Sequence, residues 1–589
     1  MRRALASLTA LAAAASLSGC SVSLLPRSLE GQGPAAHRGL PPVQTPGSYR
    51  PQAAPRPGGT ITVGMFQFPS TLSPYFGAQA PAAPIDQALF DGLVTTTPDL
   101  QWYGDLAQEV PTVGNGGVRV TGSRMDVTYR LRPGLAWSDG QPITADDVVF
   151  TYQVITGAGA AAGVGQLGYD RVSGVDAGGQ DTVVVHFRSL YPAYRSLFTT
   201  ILPRHRLQGV APAQLAGDPY WTRPDVVSGP FTVAELAADH VTLQRNPHYA
   251  DGRRDMGILG HAAYADRVIF QALESRQAVL AALKAGDVQA GLGLTERELP
   301  TIGRMTGVRV VLAPSLSYEQ LSLNQSDPNP ATGGVPPWVD DPAVAEALDL
   351  AMDRPTLRSR LGAGLQLTAT PISPQLAWAY DPGIGVPAYD LARARRLLDQ
   401  DGWTTGADGI RVKNGRRLAF TLSTTNDQQV RIAEEEVLAA GWQKLGADVS
   451  IQDFSEQQLF GSYDQGGVLS RGGYEAAIWS WVTPVDPDVE FDILHSSALP
   501  AHGRPDGQNY SRCHDAAIDQ ALAGGRATLD DAERGAAYRA FQAAYVQARC
   551  ELPLYRRLDI GVTARRLHNF VPNPAPVGNT WNLADWWLG

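Results

Sequence analysis

Lysine is almost missing from this chain. It stands only at 284, 413 and 444, and arginine carries the rest of the positive charge. Basic side chains number 48 against 58 acidic ones, for a net charge of −10 and a pI near 5.5. That balance speaks against a nucleic-acid partner, which calls for a basic face. Cysteine occurs only at 20, 513 and 550, never in a C-x-x-C or beside a histidine cluster, so zinc is not implied. The histidines are scattered and mark no metal or haem site. There is no G-x-S-x-G elbow, no H-E-x-x-H, no G-x-x-x-x-G-K-(S/T), and no G-x-G-x-x-G placed after a strand. Hydrolase, zinc-protease, NTPase and dinucleotide chemistry are therefore disfavoured, and no cofactor is implied. The glycine-rich run at 157–165 (GAGAAAGVG) is filled with alanine and has no well-placed acid, so it reads as a loop.

What is present fits an exported globular protein. Hydrophobic residues make up 44% of the chain and charged ones 18%, and 589 residues allow two or more lobes. Arg2-Arg3 precedes a short apolar stretch at 4–17 that falls short of the roughly 20 residues a membrane span needs. Leu17-Ser18-Gly19-Cys20 follows and resembles a lipobox, which makes Cys20 the expected site of a diacylglyceryl thioether. The competing reading is ordinary signal cleavage beside a chance cysteine. Residues 21–57, rich in Pro, Gly, Ser, Gln and Arg, read as a flexible tether, with order beginning near Gly58. In an oxidising compartment Cys513 and Cys550 can close a disulfide worth on the order of 3–4 kcal/mol, or remain two thiols.

The most informative stretch is 129–150, YRLRPGLAWSDGQPITADDVVF. Val127, Tyr129 and Leu131 alternate with polar residues as in a strand. Pro133-Gly134 and Ser138-Asp139-Gly140 make turns, Thr144 stands at an N-cap, and Asp146 and Asp147 occupy the first helical turn. The order Y-x-L-R-x-G-x-x-W-x-D-G-x-P-x-T-A-x-D-V-x-F resembles the signature of extracellular solute-binding protein family 5, the peptide/nickel class that serves ABC importers. Looser pieces agree: Asp91-Gly92-Leu93, Ser228-Gly229-Pro230-Phe231, the strand at 241–246 with Tyr249, the helix at 342–354, Tyr389-Asp390 with Gly402-Trp403, and Leu552-Pro553-Leu554-Tyr555. The resemblance runs from about residue 58 to 580.

It implies an α/β, two-lobed periplasmic-binding-protein type II fold with an extra inserted domain. Lobe I would comprise 58–95, 222–315 and 553–589, domain II 96–221, and lobe III 316–552. Chain crossings near 318–324 and 551–555 would form the hinge. The implied function is a non-enzymatic, lipid-anchored receptor in the cell envelope. It would bind a solute, peptide or peptide-like, and pass it to separate permease and ATPase subunits. The alternative is a receptor for signalling, or a chaperone, on the same scaffold.

The expected ligand residues follow from the same resemblance. Phe66, Phe68, Tyr318, Asn324, Trp479 and Trp481 lie on segments that face the cleft in the family, although each aromatic also suits an ordinary core. The segment 479–488 (WSWVTPVDPD) resembles the family's cleft loop, with Asp486 and Asp488 matching its D-P-D. Peptide-binding members place an ammonium-binding aspartate shortly after the tryptophan, where this chain has Val482, Thr483 and Pro484. Some dipeptide binders carry an arginine where this chain has Ser423, Thr424 and Thr425.

Overall fold

The computed structural model describes residues 40–589 apart from 55, 77–80, 159–167, 255, 257, 363–364, 503 and 505–506. The expected leader with Cys20, residues 21–39 of the expected tether and most of the glycine-rich run lie outside the described residues.

The 129–150 block folds as its turn chemistry dictates. Arg124–Arg130 is a strand whose Met125, Val127 and Tyr129 are buried. Gly134 and Gly140 take φ of +78° and +83°, where a side chain would be strained. The helix Ala145–Ala158 then begins. Thr144 precedes it as expected, with Asp146 and Asp147 in the first turn; Asp147 reaches back to accept from the Thr144 N–H at 2.8 Å, and the Thr144 hydroxyl donates to the same carboxylate. The strand belongs to a four-stranded antiparallel sheet with Val118–Thr121, Thr182–Phe187 and Val172–Ala177. Val127 and Tyr129 share one continuous core with Ile61 and Val63, so this inserted sheet has no separate core.

A single eleven-stranded sheet runs through both lobes. On one side Thr60–Met65 lies between Arg267–Ala272 and Ala290–Gly291, all parallel. On the other, Ala419–Ser423 lies parallel to both Asp448–Ile451 and Ala476–Trp481. The long antiparallel strands Val308–Leu323 and Glu551–Ala564 join the halves. Parallel strands place their carboxyl ends, and the loops that follow, along one edge.

The ladder between the two joining strands breaks in the middle. Pro314 pairs with Leu558, but the next partners are Tyr318 and Arg556. The irregularity is a bulge that sits just before the expected crossing at 318–324 on one strand and just after that at 551–555 on the other. The Leu316 carbonyl freed there accepts from Arg556 Nη1 at 3.1 Å and from the Thr483 hydroxyl at 2.9 Å, which meets the demand of a buried carbonyl for a donor.

The folded body also starts earlier than residue 58. The Gln44 N–H donates to Leu312 (2.9 Å), the Tyr49 hydroxyl to Asp585 Oδ2 (2.6 Å) and the Gln52 N–H to Asn569 Oδ1 (2.8 Å). Leu40 and Val43 pack beside Leu299 and Ile302. These anchors are isolated, so no helical or strand periodicity announces them. Cys513 and Cys550 are joined in a disulfide with Cα atoms 5.7 Å apart. Among the described residues, no helix is long and apolar enough to cross a membrane.

Candidate functional site

Two cavities are lined by residues far apart in the chain, the first of them by loops that follow the parallel strands. The first, about 340 Å³, has Phe66, Arg276, Thr295 and Arg297 on one wall, with 427–431 and Arg557 on the other. Arg276 lies 3.9 Å over the Phe66 ring and donates to the Gly293 carbonyl at 2.7 Å. Its burial lowers the guanidinium's pKa.

Beside this cavity lies an ion network at the bulge. Arg557 grips Glu296 with Nε and Nη2, both at 3.2 Å, and reaches Glu319 at 3.4 Å. Arg431, from the start of the helix Gln429–Leu445, donates to Glu319 at 2.9 Å and to the Thr425 hydroxyl at 3.2 Å. The Ser480 hydroxyl donates to the same glutamate. The Glu319 side chain is wholly buried, and Glu296 nearly so. Groups from both lobes and both joining strands thus meet at one point. Burial, with Glu319 nearby, pushes Glu434 well above the carboxylate range, and Tyr555 donates its hydroxyl to it.

Other buried acids near the joining strands are held protonated. Glu490 and Glu551 are pushed up to about 8 and Asp559 to about 7, in each case chiefly by desolvation. The folded chain therefore keeps protons that the unfolded chain releases above about pH 4.5. Their contribution is fully present at low pH and is lost as the pH rises through 7–8. The expected result is a Tm that falls between about pH 5 and 8 in scanning calorimetry. A flat or rising Tm across that window would contradict it.

The second cavity, about 280 Å³, is aromatic. Phe90, Trp102, Tyr103, Tyr249 and Trp581 line it, together with Pro484 and Val485 of the cleft loop. Asp91 and Asp105 also reach its wall. Asp91 is paired with the fully buried Arg253 at 2.6 Å, and that guanidinium lies 4.5 Å over Tyr249.

Of the residues expected to touch ligand, only Phe66 lines either of these two cavities. Phe68 is half-buried against the lobe I core. Tyr318 and Trp479 are fully buried, Trp479 edge-on to Tyr474 and Trp481. Asn324 is an internal staple: its amide donates to the Gly472 and Tyr474 carbonyls at 3.0 and 2.8 Å. Trp481 is half-buried and stacked on Tyr510, with centroids 5.6 Å apart. Asp486 is paired with Arg534 at 2.6 Å and Asp488 with Arg526 at 2.7 and 2.8 Å. The D-P-D carboxylates therefore fasten the cleft loop to the helices Ala516–Arg526 and Asp531–Ala548 and are not free anchors.

Sequence reasoning missed Arg431, Arg557, Glu296, Glu319 and the cluster Trp102-Tyr103-Gly104-Asp105. One signal was available: Arg556-Arg557 are consecutive charges inside an otherwise apolar strand, and buried charges need partners.

The family description "Bacterial extracellular solute-binding proteins, family 5 Middle" matches residues 104–498. The chain belongs to this family. Among its family 5 relatives, the oligopeptide-binding protein AppA of Bacillus subtilis is 25% identical over 91% of this chain and 92% of its own. Protein XP55 of Streptomyces lividans is 29% identical over 83% of each. AppA solved with a nonapeptide superposes with a TM-score of 0.70 at 24% identity, covering 91% of this chain and all of that one (100%). NikZ of Campylobacter jejuni, solved with Ni(L-His), gives 0.69 at 21% identity, covering 90% and 99%. These likenesses establish the two-lobed type II periplasmic-binding-protein fold. Family 5 is a solute-binding family, and its members carry the fold with different solutes.

Proposed function

We propose that this chain is the substrate-binding lipoprotein of an ABC importer. It captures a peptide or peptide-like solute between lobe I (58–95, 222–315 and 553–589) and lobe III (316–552), with domain II (96–221) inserted. It then delivers the solute to a membrane permease and catalyses no reaction itself. The observation that carries this reading is the pair of joining strands, bulged between Pro314 and Tyr318 directly beside the cleft. A solute that touches both walls only when the lobes close favours the closed form by that difference in contact. Phe66 and Trp481 are the aromatic ligand contacts we assign. AppA is named for oligopeptides, which favours a peptide class here.

Mass spectrometry of the solute that co-purifies with the chain, followed by thermal shifts with it, tests the receptor reading. Peptides should dominate, and a chain that carries and binds no small solute would contradict it. The anchor is tested separately. Cys20→Ala should abolish incorporation of labelled palmitate and release the protein from membranes; undiminished labelling would remove the lipid from the proposal.

A further inference from the structure

We propose that the aromatic cavity receives a positively charged amino group of the ligand, with Asp105 as its counter-charge. This rests on the receptor reading and adds the ligand's charge to it. The cavity's lining includes two carboxylates and no lysine, arginine or histidine. Asp91 is already satisfied by Arg253. Asp105 is 8% exposed and lines the cavity, yet among the described residues no basic nitrogen forms an ion pair with its carboxylate. Arg132, its basic neighbour, donates to the backbone carbonyls of Asp105 and Gly104 at 2.8 and 3.1 Å. Arg253 and Arg132 act on the Asp105 carboxyl only as more distant charges, and an ammonium group brought by a ligand is its first direct ion-pair partner.

The rest of the wall suits the same group. Trp102, Tyr103 and Trp581 add aromatic rings to the lining, a surface that attracts a cation as well as an apolar side chain, while Arg253 already lies over Tyr249. The Ser196 hydroxyl, also in the lining, is buried without a hydrogen-bond partner. Burial, with Asp91 second, holds the Asp105 carboxyl well above its ordinary range, and an adjacent cation reverses that shift. Lobe III contributes only the uncharged Pro484 and Val485 to this cavity. Asp105 falls within domain II (96–221), so the counter-charge and the cleft loop come from different parts of the chain, and the bound amine touches both.

Titration calorimetry on the full-length chain tests this with four probes: phenethylammonium, its neutral counterpart 2-phenylethanol, the tripeptide Phe-Ala-Ala, and its N-acetylated form. The expected result is binding of phenethylammonium at least tenfold tighter than the alcohol, with Asp105→Asn removing the preference. Val577→Trp, which fills the cavity without changing its charge, should abolish amine binding while leaving Tm close to that of the parent. Failure of the parent chain to bind phenethylammonium, or equal affinity in Asp105→Asn, overturns the proposal. If both tripeptides bind equally and the amine does not, the receptor reading stands and this one falls. If the amine binds through Asp105 and neither tripeptide binds, the amine site stands and the peptide assignment falls.

Discussion

Arg557→Met is expected to lower the stability of the folded chain by about 3–5 kcal/mol, the usual cost of removing one partner from a buried ion pair. The argument is local. Glu296 keeps 2% of its side chain exposed, and both its oxygens lie on Arg557. Without the guanidinium, Glu296 retains the Leu558 N–H at 2.8 Å but no neutralising charge from Arg557. Glu319 fares better, since Arg431 still donates to it at 2.9 Å. Most of the loss therefore falls on Glu296. Adding Glu296→Gln to Arg557→Met should recover part of the stability, and the double-mutant cycle should show a coupling energy of about 1–3 kcal/mol. Arg557→Lys should fall between, because an ammonium keeps the charge but cannot grip two oxygens in a plane. Urea unfolding of the four chains at unchanged m-value checks this. A loss below about 1 kcal/mol for Arg557→Met would show that the network contributes little to holding the lobes. Arg557 also lines the first cavity, so the same substitution should weaken closure on a bound solute.

The fold was legible where it rests on local chemistry. In residues 129–150 the alternation, the Pro-Gly and Asp-Gly turns and the helix start each follow from neighbours in sequence, and the strand, turns and helix stand where expected. The site was less legible, because its chemistry depends on partners far along the chain. Asp486 and Asp488 look like free acids in a loop until Arg534 and Arg526 arrive from a helical hairpin some 40 residues on. Asn324 looks like a polar residue at a strand end until its amide meets the Tyr474 carbonyl. The segment 423–425 carries no arginine of its own, but Arg431, in the first turn of the next helix, sets its guanidinium on Thr425. Asp105 is one acid among many in the sequence, and only the cavity that it lines sets it apart.

Opening the Cys513–Cys550 bridge is expected to cost about 4 kcal/mol of stability, from the loop entropy released when residues 37 positions apart are no longer joined. The closed loop contains the helical hairpin Ala516–Arg526 and Asp531–Ala548, and both cysteines are buried with Ile518, Phe541 and Tyr545. Its two ends are further fixed: Asn509 accepts from the Cys513 N–H at 2.9 Å, and Cys550 accepts from the Leu323 N–H at 2.9 Å. The same hairpin supplies Arg526 and Arg534, which hold Asp488 and Asp486 and so position the loop that closes the aromatic cavity. Loss of the bridge should therefore act on the site as well as on the whole chain. Cys513→Ser with Cys550→Ser should unfold at lower urea, by about 4 kcal/mol against the oxidised parent, and reducing agent should bring the parent to the same midpoint. Amide hydrogen exchange should rise first in residues 482–494 and 516–548, ahead of the lobe I sheet. Equal midpoints with and without reductant would show that the hairpin is held by its packing and ion pairs alone. Uniform exchange across both lobes would separate the bridge from the cleft loop.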